Sequence, residues 1–430
     1  MEALRTEHER RLVAVSRVLA GEQVVAVARS VGRTEQWLHK WLRRYEAEGD
    51  AGLRDRSRAP KHPPPRTPPH VVEAVLGTRD ALEESEHGGV GAEAIRYELE
   101  LKDLDPLPSL STIERILRRA GKTAKPKRFR GTERHRPRPA VAVPGVLHQA
   151  DWVGPRYLAR RLSFHSLHAV DVGGGGAQAA QFSDRRLERA AAFFAEVAWP
   201  VLGIPLAAQV DNAFALARAR RIHPFNLFVK TCLLFGVEVV VCPPNELGWM
   251  NHVESFNALW QARTIRRHRY HSVQEVVASS GRFVDYFMHR RPHPALTVAT
   301  NGSRFPAEVL LAEQEGLRFP PEGFTLDAYR RGDGKIELPI ARGRLTFLRR
   351  VHEEGWIDAA GTRFAVGHTY AGLCVAATIS TYHRRLRVRL DGKVISQRPF
   401  PLPGPVAAPW FDPAPRGLST MLPDESSPMS

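Results

Sequence analysis

The sequence predicts a multidomain protein with α-helical units at the N-terminus, an α/β core in the middle and a small β-rich block near the C-terminus. Three observations lead to this fold class. The chain has 430 residues, enough for about three domains of ordinary size. Hydrophobic residues make up 43% of the chain and charged residues 25%, as is typical of a folded globular protein. The spacing of apolar residues also changes along the chain, from helical to mixed and then to short strands.

The composition restricts both partner and compartment. The formal net charge is +16, from 62 Lys and Arg against 46 Asp and Glu, and this excess favours a polyanionic partner. Arginine outnumbers lysine 53 to 9, which suits forked contacts with phosphate. The three cysteines are too few for a disulfide framework, and no apolar stretch is long enough to span a membrane. We therefore expect a reduced, intracellular protein without a membrane partner.

Residues 1–58 are predicted to form a helix-turn-helix domain of three short helices. Apolar residues recur at helical spacing, and Gly21 and Gly32 separate the helices. The outward face of the third helix carries residues suited to the major groove and its phosphates. These predicted DNA-binding residues are Arg33, Gln36, His39, Lys40, Arg43 and Arg44. The alternative is a plain three-helix bundle whose basic face is only solvated.

Residues 70–120 are predicted to form a second, winged helix-turn-helix-like domain, or else a helical spacer. Residues 121–145 follow as a basic linker. Around it, residues 118–138 hold ten Lys and Arg but one acid, Glu133, so this stretch cannot bury a core. We expect an extended segment lying on DNA phosphates, although a solvated tail is the alternative. Its predicted DNA-binding residues are Lys125, Lys127, Arg128 and Arg130.

Residues 146–312 show three strand patterns followed by alternating helices and strands. Antiparallel strands followed by this alternation are the order expected of a ribonuclease-H-like core. The glycine run at 173–176 is interpreted as a tight turn, because no Gly-Lys-Ser or Gly-Lys-Thr follows it, as a phosphate-binding loop would require. Strands are predicted at 146–152, 162–172, 177–182, 205–210 and 237–241, and helices at 183–199, 223–235 and 249–264.

The C-terminal part contains two further segments. Residues 330–400 have short strand patterns separated by turn signals such as Asp391-Gly392, and this spacing predicts a small β-barrel. Residues 401–430 are rich in proline and serine, and we expect a disordered tail there.

Three acidic residues of the α/β block are the candidate catalytic and metal-binding residues. Asp151 lies within the first strand, Asp211 follows the fourth, and Glu254 lies on the helix after the fifth. A carboxylate on a central strand is costly unless it pairs or binds a cation. Three carboxylates suit Mg²⁺ or Mn²⁺, which prefer oxygen ligands. Glu246 also follows the fifth strand, but its turn-rich loop predicts a mobile, solvated side chain.

The motifs around these acids resemble those of the DDE transposases of bacterial insertion sequences, within the retroviral-integrase superfamily. The resemblance covers roughly residues 8–312. It is carried by Asp151, Asp-Asn at 211–212, the segment from Pro-Pro-Asn at 243 to Val-Glu-Ser-Phe-Asn ending at 257, and Arg-Arg-Pro-His-Pro-Ala-Leu at 290–296. The segment Gly-Leu-Arg-Asp-Arg-Ser-Arg-Ala-Pro at 52–60 is also in keeping with that family.

The resemblance implies a ribonuclease-H-like fold and a two-metal site in which Asp151, Asp211 and Glu254 bind two Mg²⁺ or Mn²⁺ ions. It implies cleavage at the terminal repeats of an element and strand transfer into target DNA. It also implies a homo-oligomer in a synaptic complex, in the cytoplasm of a bacterium near the nucleoid. The C-terminal block is similar to the small barrels that follow Mu-type transposase cores. Whether an ATPase helper takes part is left open.

The chain departs from the family pattern at three points. Ala213 stands where relatives usually have glycine, and 42 residues separate Asp211 from Glu254, more than is usual. Gln261 stands where many relatives carry lysine or arginine. The alternative interpretation is a catalytically impaired, domesticated transposase that acts as a DNA-binding protein or repressor. A nuclease of the same fold is a further alternative.

Overall fold

The computed structural model describes most of the chain in two compact units, Met1–Pro68 and Pro69–Ser430. The described residues are 6–57, 66–123, 141, 143–158, 163–212, 214, 224–244, 246, 248–293, 296 and 304–414.

The first unit is the three-helix domain that the sequence predicts. Its helices are α1 (Glu7–Leu19), α2 (Val24–Ser30) and α3 (Glu35–Glu48), and the 3₁₀ turn Gly49–Leu53 follows. The Thr34 hydroxyl accepts a hydrogen bond from the amide of Trp37, which caps α3. The apolar stripes of the helices meet in one small core, formed by Ala14, Val15, Val27, Ala28, Leu38, Trp41 and Leu53.

The second unit begins with three helices, α4 (Pro69–Glu84), α5 (Ala92–Leu101) and α6 (Leu110–Arg119). The Ser109 hydroxyl caps α6 by accepting from the amide of Thr112. These helices have an apolar core of their own, formed by Val71, Val75, Leu82, Ala94, Ile95, Leu99, Ile113, Ile116 and Leu117. The predicted linker residues Lys125, Lys127, Arg128 and Arg130 lie outside the described residues.

A central sheet follows, with β1 (Leu147–Tyr157), β2 (Ser163–Asp171), β3 (Ala177–Phe182), β4 (Ala207–Val210) and β5 (Glu238–Val241). β1 pairs antiparallel with β2, and β2 pairs antiparallel with β3. β4 runs parallel to both β1 and β5. The spatial order β3-β2-β1-β4-β5 with these directions is the ribonuclease-H-like arrangement, and it confirms the predicted core.

Helices cover this sheet, and most of its large apolar side chains are buried beneath them. Among the described residues, no helix is long and apolar enough to cross a membrane.

The predicted helix at 183–199 is interrupted by the π-helical stretch Phe193–Ala198. The helices are α7 (Leu187–Ala192), α8 (Trp199–Leu202), α9 (Leu227–Leu234), α10 (Asn251–Arg263), α11 (Val273–His289) and α12 (Pro306–Ala312).

The glycine run between β2 and β3 forms the predicted turn, and close packing requires one of its glycines. A Cβ on Gly173 would lie 1.9 Å from the carbonyl oxygen of Val143. The buried Asp171 carboxylate holds the turn by accepting hydrogen bonds from the amides of Gly145, at 2.8 Å, and Gly174.

The C-terminal strands are present, but their arrangement differs from the predicted small β-barrel at 330–400. The strands are β6 (Ile340–Ala341), β7 (Arg344–Arg350), β8 (Trp356–Ala359), β9 (Thr362–Ala365), β10 (Cys374–Ser380), β11 (Arg385–Leu390), β12 (Lys393–Pro399) and β13 (Val406–Ala407). β7 pairs in parallel with β5, and the nine-stranded order is β12-β11-β10-β7-β5-β4-β1-β2-β3. β7, β10, β11 and β12 therefore extend the core sheet, because β5 would otherwise leave an unpaired edge. The other four strands form two separate two-stranded sheets, β6 with β13 and β8 with β9.

The prediction of a disordered tail at 401–430 is wrong for residues 401–414. β13 pairs in parallel with β6, and the amide of Trp410 donates to the carbonyl of Leu234 at 2.7 Å. The centroid of the Trp410 ring lies 5.5 Å from that of Phe235 and 5.3 Å from that of Phe324. These apolar contacts hold the segment on the core despite its proline content. Residues 415–430 lie outside the described residues.

Candidate active site

Asp151 lies on the central strand β1, opposite His168 of β2. Its Oδ2 accepts a 2.9 Å hydrogen bond from Nδ2 of Asn257, on α10. Burial, together with the negative charges of Asp211 and Glu254, raises the pKa of Asp151 to about 6. The structure therefore brings the three predicted acids close enough for their charges to interact.

Asp211 and Glu254 approach Asp151 from two other elements. Asp211 directly follows β4, and its Oδ1 accepts from the amide of Phe214 at 3.3 Å. Glu254 lies in the first turn of α10, and its Oε1 accepts from the amide of Gly248 at 3.4 Å. Burial raises the pKa of the Cys242 thiol to about 12, and both carboxylates add to that shift. The Cys242 thiol therefore lies close enough to Asp211 and Glu254 to be affected by their negative charges.

The acids fit a hard cation in their chemistry but do not form a closed cage. Three carboxylates that repel one another in a partly desolvated place are the donor set that Mg²⁺ or Mn²⁺ prefers. Within the part of the chain that the structure describes, however, no three His, Cys, Asp or Glu side chains converge tightly enough to hold a metal ion.

Gln149 fixes the start of α10, and sequence reasoning missed it. Its Oε1 accepts from the backbone amides of His252, at 3.0 Å, and Val253, at 3.3 Å. Its Nε2 donates to Oε1 of Gln209 on β4 at 2.9 Å. The first amides of a helix lack partners within the helix, so a side chain from β1 caps α10 here. The available signal was a polar residue two before Asp151, on the same face of the strand.

Val253, Phe256 and Trp260 recur at i, i+3 and i+7, a spacing that predicts an apolar face of α10 turned towards the sheet, with Glu254, Asn257 and Gln261 as the neighbouring polar stripe. Val253, Phe256 and Trp260 are buried against the sheet side of the helix. The neighbouring polar stripe faces β1, where Asn257 binds Asp151 and Gln261 binds Arg156. These contacts place the helix turn that carries Glu254 beside the strand that carries Asp151.

Arg156 is a second residue that the sequence analysis missed. The β1–β2 register passes from Val153↔Ser166 to Arg156↔Phe164, so β1 has one extra residue at a bulge. The bulge returns Arg156 to the strand face of Asp151, where Nη2 of Arg156 donates to Oε1 of Gln261. Within the described residues, no ion pair joins Arg156 to a carboxylate. The Arg156 guanidinium therefore has no carboxylate partner among the described residues.

Glu246 differs from the expectation of a mobile, solvated side chain. Only 14% of its side chain is exposed, and it accepts hydrogen bonds from Nε and Nη2 of Arg350 at 2.9 and 3.1 Å. Nε1 of Trp249 donates to the same carboxylate at 3.2 Å. The expectation is wrong because β7 pairs beside β5, which brings Arg350 over the loop between β5 and α10.

Arg349, also on β7, ties the C-terminal strands to the end of β4. Its residue exposure is 5%, and Nη2 donates to Oδ1 of Asn212 at 2.6 Å. Nη1 donates to the carbonyls of Cys242, at 3.0 Å, and Leu348, at 2.7 Å. Burial lowers the pKa of Arg349 to about 10. Asn212 directly follows Asp211, so a distant part of the chain supports this edge of the site.

The predicted DNA-binding residues of the first unit lie on α3 or just before it. Gln36, His39, Lys40 and Arg43 are exposed. Arg33 is also exposed but forms a 2.6 Å ion pair with Glu7. Arg44 is half-buried, lies 4.5 Å from the Trp41 ring centroid and donates to the carbonyl of Arg54 at 2.9 Å. Arg44 therefore also stabilises the domain, and the DNA contacts of all six stay a prediction.

Comparison with known proteins agrees with this description of the N-terminal part. A helix-turn-helix domain family matches residues 10–61, which contain most of α1 and all of α2 and α3. The chain contains a helix-turn-helix domain. A homeodomain-like domain family matches residues 37–117, from α3 to α6. No curated protein matches the chain. The helix-turn-helix matches and the strand order are consistent with a DDE transposase or integrase that carries an N-terminal helix-turn-helix.

Among solved structures, matches include retroviral integrases. The HTLV-2 integrase catalytic core, solved in complex with magnesium in a dimeric form, is 14% identical over 35% of this chain and 92% of that chain, with a TM-score of 0.28. The catalytic core domain of BIV integrase is 15% identical over 40% of this chain and 97% of that chain, with a TM-score of 0.29. A chain in the structure of a simian T-cell lymphotropic virus intasome in complex with PP2A regulatory subunit B56 gamma is 14% identical over 66% of this chain and 84% of that chain, with a TM-score of 0.31. The fold assignment here rests on the strand order.

Proposed function

We propose that the chain is a DDE-type transposase or integrase that cleaves DNA at the ends of a mobile element and transfers those ends into target DNA. One observation carries the proposal. Three carboxylates, from β1, the end of β4 and α10, act on one another on a ribonuclease-H-like sheet, and burial together with the charges of Asp211 and Glu254 raises the pKa of Asp151 to about 6. Repulsion of this kind is relieved by a divalent cation.

Asp151, Asp211 and Glu254 would hold two Mg²⁺ or Mn²⁺ ions. Such ions activate water and then a 3′-hydroxyl, and they stabilise the entering and leaving oxygens of phosphoryl transfer. Neighbouring side chains position these carboxylates. Asn257 holds one carboxylate oxygen of Asp151, and Gln149 holds the first turn of α10 beside it.

The remaining parts would bind DNA. The exposed face of α3 and the basic linker at 121–145 would bind the terminal repeats, and the net charge of +16 favours that partner. Joining two ends to one target requires a synaptic homo-oligomer. A bacterial cytoplasmic, nucleoid-associated location follows from this proposed substrate.

The test uses the full chain and DNA containing the inverted repeats that flank its own coding region. Asp211→Asn and Glu254→Gln should each abolish Mg²⁺-dependent cleavage and strand transfer, with little change in DNA affinity. Asp333→Asn is the matched control, because the Asp333 side chain is 55% exposed on the surface. Cleavage at the wild-type rate by Asp211→Asn would remove Asp211 from the site.

A second candidate function is a DNA-binding protein or repressor that has lost catalysis. Three departures from the family pattern favour this alternative: Ala213, Gln261 and the 42 residues that separate Asp211 from Glu254. It predicts that the wild-type chain binds the same DNA tightly yet neither cleaves nor transfers it in Mg²⁺ or Mn²⁺.

A further inference from the structure

A buried chain of hydrogen bonds leads from β3 through β2 to Asp151. Nε2 of Gln181 lies 2.9 Å from Oγ of Ser166, and this Oγ lies 2.6 Å from Nε2 of His168. Nδ1 of His168 lies 2.6 Å from Oδ1 of Asn257, whose Nδ2 lies 2.9 Å from Oδ2 of Asp151. Five side chains from three strands and one helix thus form one connected series.

The chemistry of the end group sets the direction of every bond. An ionised carboxylate can only accept, so Asn257 must donate through Nδ2 and present Oδ1 to the ring of His168. Nδ1 of His168 must then carry the proton, and Nε2 must accept from the hydroxyl of Ser166. The Ser166 oxygen in turn accepts from Gln181. The series therefore favours one tautomer of His168 and one orientation of the Asn257 amide.

The surroundings of His168 keep it in this neutral form. The residue is fully buried, and its ring centroid lies 5.1 Å from that of Phe256 and 4.7 Å from that of Trp260. Burial lowers the pKa of His168 to about 4. A neutral ring has one donor and one acceptor nitrogen, as the series requires.

We propose that His168 is a positioning residue for Asp151, acting through Asn257, and that it raises the affinity of the site for divalent cations. The proposal rests on the proposed function, in which Asp151 is a metal ligand. Without the donor at Nδ1, the Asn257 amide is free to turn and present its oxygen to the carboxylate, which would push Asp151 out of place. Groups that orient metal ligands typically change metal affinity 10- to 100-fold when removed.

The main experiment compares His168→Leu with His168→Asn in the full chain. Leucine fills similar volume without a donor, whereas the asparagine amide can place an N–H near the position of Nδ1. The readouts are the Mg²⁺ concentration that half-saturates cleavage and the one that half-saturates the Mg²⁺-induced rise in Tm without DNA. We expect both to rise about tenfold or more in His168→Leu and to stay within about threefold of wild type in His168→Asn, with unchanged DNA affinity.

Equal Mg²⁺ dependence in His168→Leu and wild type would overturn the proposal, and so would equal impairment of the two variants, which indicates a purely structural role. If His168→Leu does not fold, Ser166→Ala decides, because it removes only the hydroxyl that fixes the tautomer. If Ser166→Ala needs a higher Mg²⁺ concentration than wild type for half-saturation, the proposal is supported. If the half-saturating concentration is unchanged in Ser166→Ala, the proposal is overturned.

A measurement on the wild-type chain is independent of catalysis. In the NMR spectrum of ¹⁵N-histidine-labelled protein, the signal that is missing from His168→Asn belongs to His168. In the wild-type chain this signal should be that of a neutral ring protonated at Nδ1. A ring protonated at Nε2 would overturn the positioning role. Failure of the proposed function is seen separately, as absence of Mg²⁺-dependent cleavage by the wild-type chain.

Discussion

Arg350 and Glu246 form a two-point ion pair, with Nε and Nη2 of the guanidinium 2.9 and 3.1 Å from the two carboxylate oxygens. The pair joins β7 to the loop between β5 and α10, the helix that carries Glu254. Trp249, in the same loop, donates to that carboxylate, so Glu246 links β7 to the end of the loop just before α10. The C-terminal strands are therefore part of what positions the candidate active site.

The first prediction distinguishes the two glutamates that follow β5. Glu254→Gln should eliminate cleavage and strand transfer. Glu246→Gln and Arg350→Ala should each lower both by only about fivefold, the equivalent of about 1 kcal/mol for a mostly shielded ion pair. A double variant should lose little more than either single one, because both remove the same contact. If Glu246→Gln is as inactive as Glu254→Gln, Glu246 is a candidate metal ligand and the third acid has been misassigned.

The second prediction concerns two neighbouring arginines of α3. Arg43→Ala should lower affinity for the element ends and reduce the log–log salt slope by about 0.9, as one lost phosphate contact requires. Arg44→Ala should reduce the slope similarly but also lower Tm, because its guanidinium stacks on Trp41 and donates to Arg54. Arg29→Ala, exposed on α2, is the control. Selective end binding by a fragment that begins near residue 140 would contradict the assignment.

The third prediction concerns Arg156, which the bulge in β1 turns towards Gln261. We expect this guanidinium to contact a DNA phosphate near the cleavage site, since no carboxylate among the described residues pairs with it. Arg156→Ala should slow cleavage and reduce the salt slope by about 0.9, and Gln261→Ala should do less. Arg186→Ala is the control, because that exposed side chain pairs with Asp184. An unchanged slope in Arg156→Ala would contradict the contact.

The fourth prediction concerns pH. The folded-state pKa of Asp151, about 6, lies above the ordinary value of 3.8, so the folded protein holds this proton more tightly than the unfolded chain. The associated stability is present below pH about 4 and is lost as pH rises through about 6. Mg²⁺ should offset that loss, so its effect on Tm should be larger at pH about 7.5 than at pH about 5. Asp151→Asn should flatten this difference, and an undiminished difference would contradict the role of Asp151.

The sequence alone determined the order and type of most elements and the three candidate acids. Helical spacing of apolar residues predicted α1 to α3, and short strand patterns predicted β1 to β5, although β1 continues to Tyr157, five residues beyond its predicted end. These signals are local, because each depends on which face of a single helix or strand is buried. The apolar stripe of α10 also sufficed to predict that Asn257 and Gln261 lie beside Glu254 on the polar side of the helix.

Only the tertiary structure decided which distant segments support the acids. The pairing of β7 with β5 turned a predicted barrel into an extended sheet and brought Arg349 to Asn212 and Arg350 to Glu246. More than 100 residues separate each of these pairs along the chain. No local periodicity records such pairing, because strand partners are selected by the free energy of closing the whole sheet and burying its open edge.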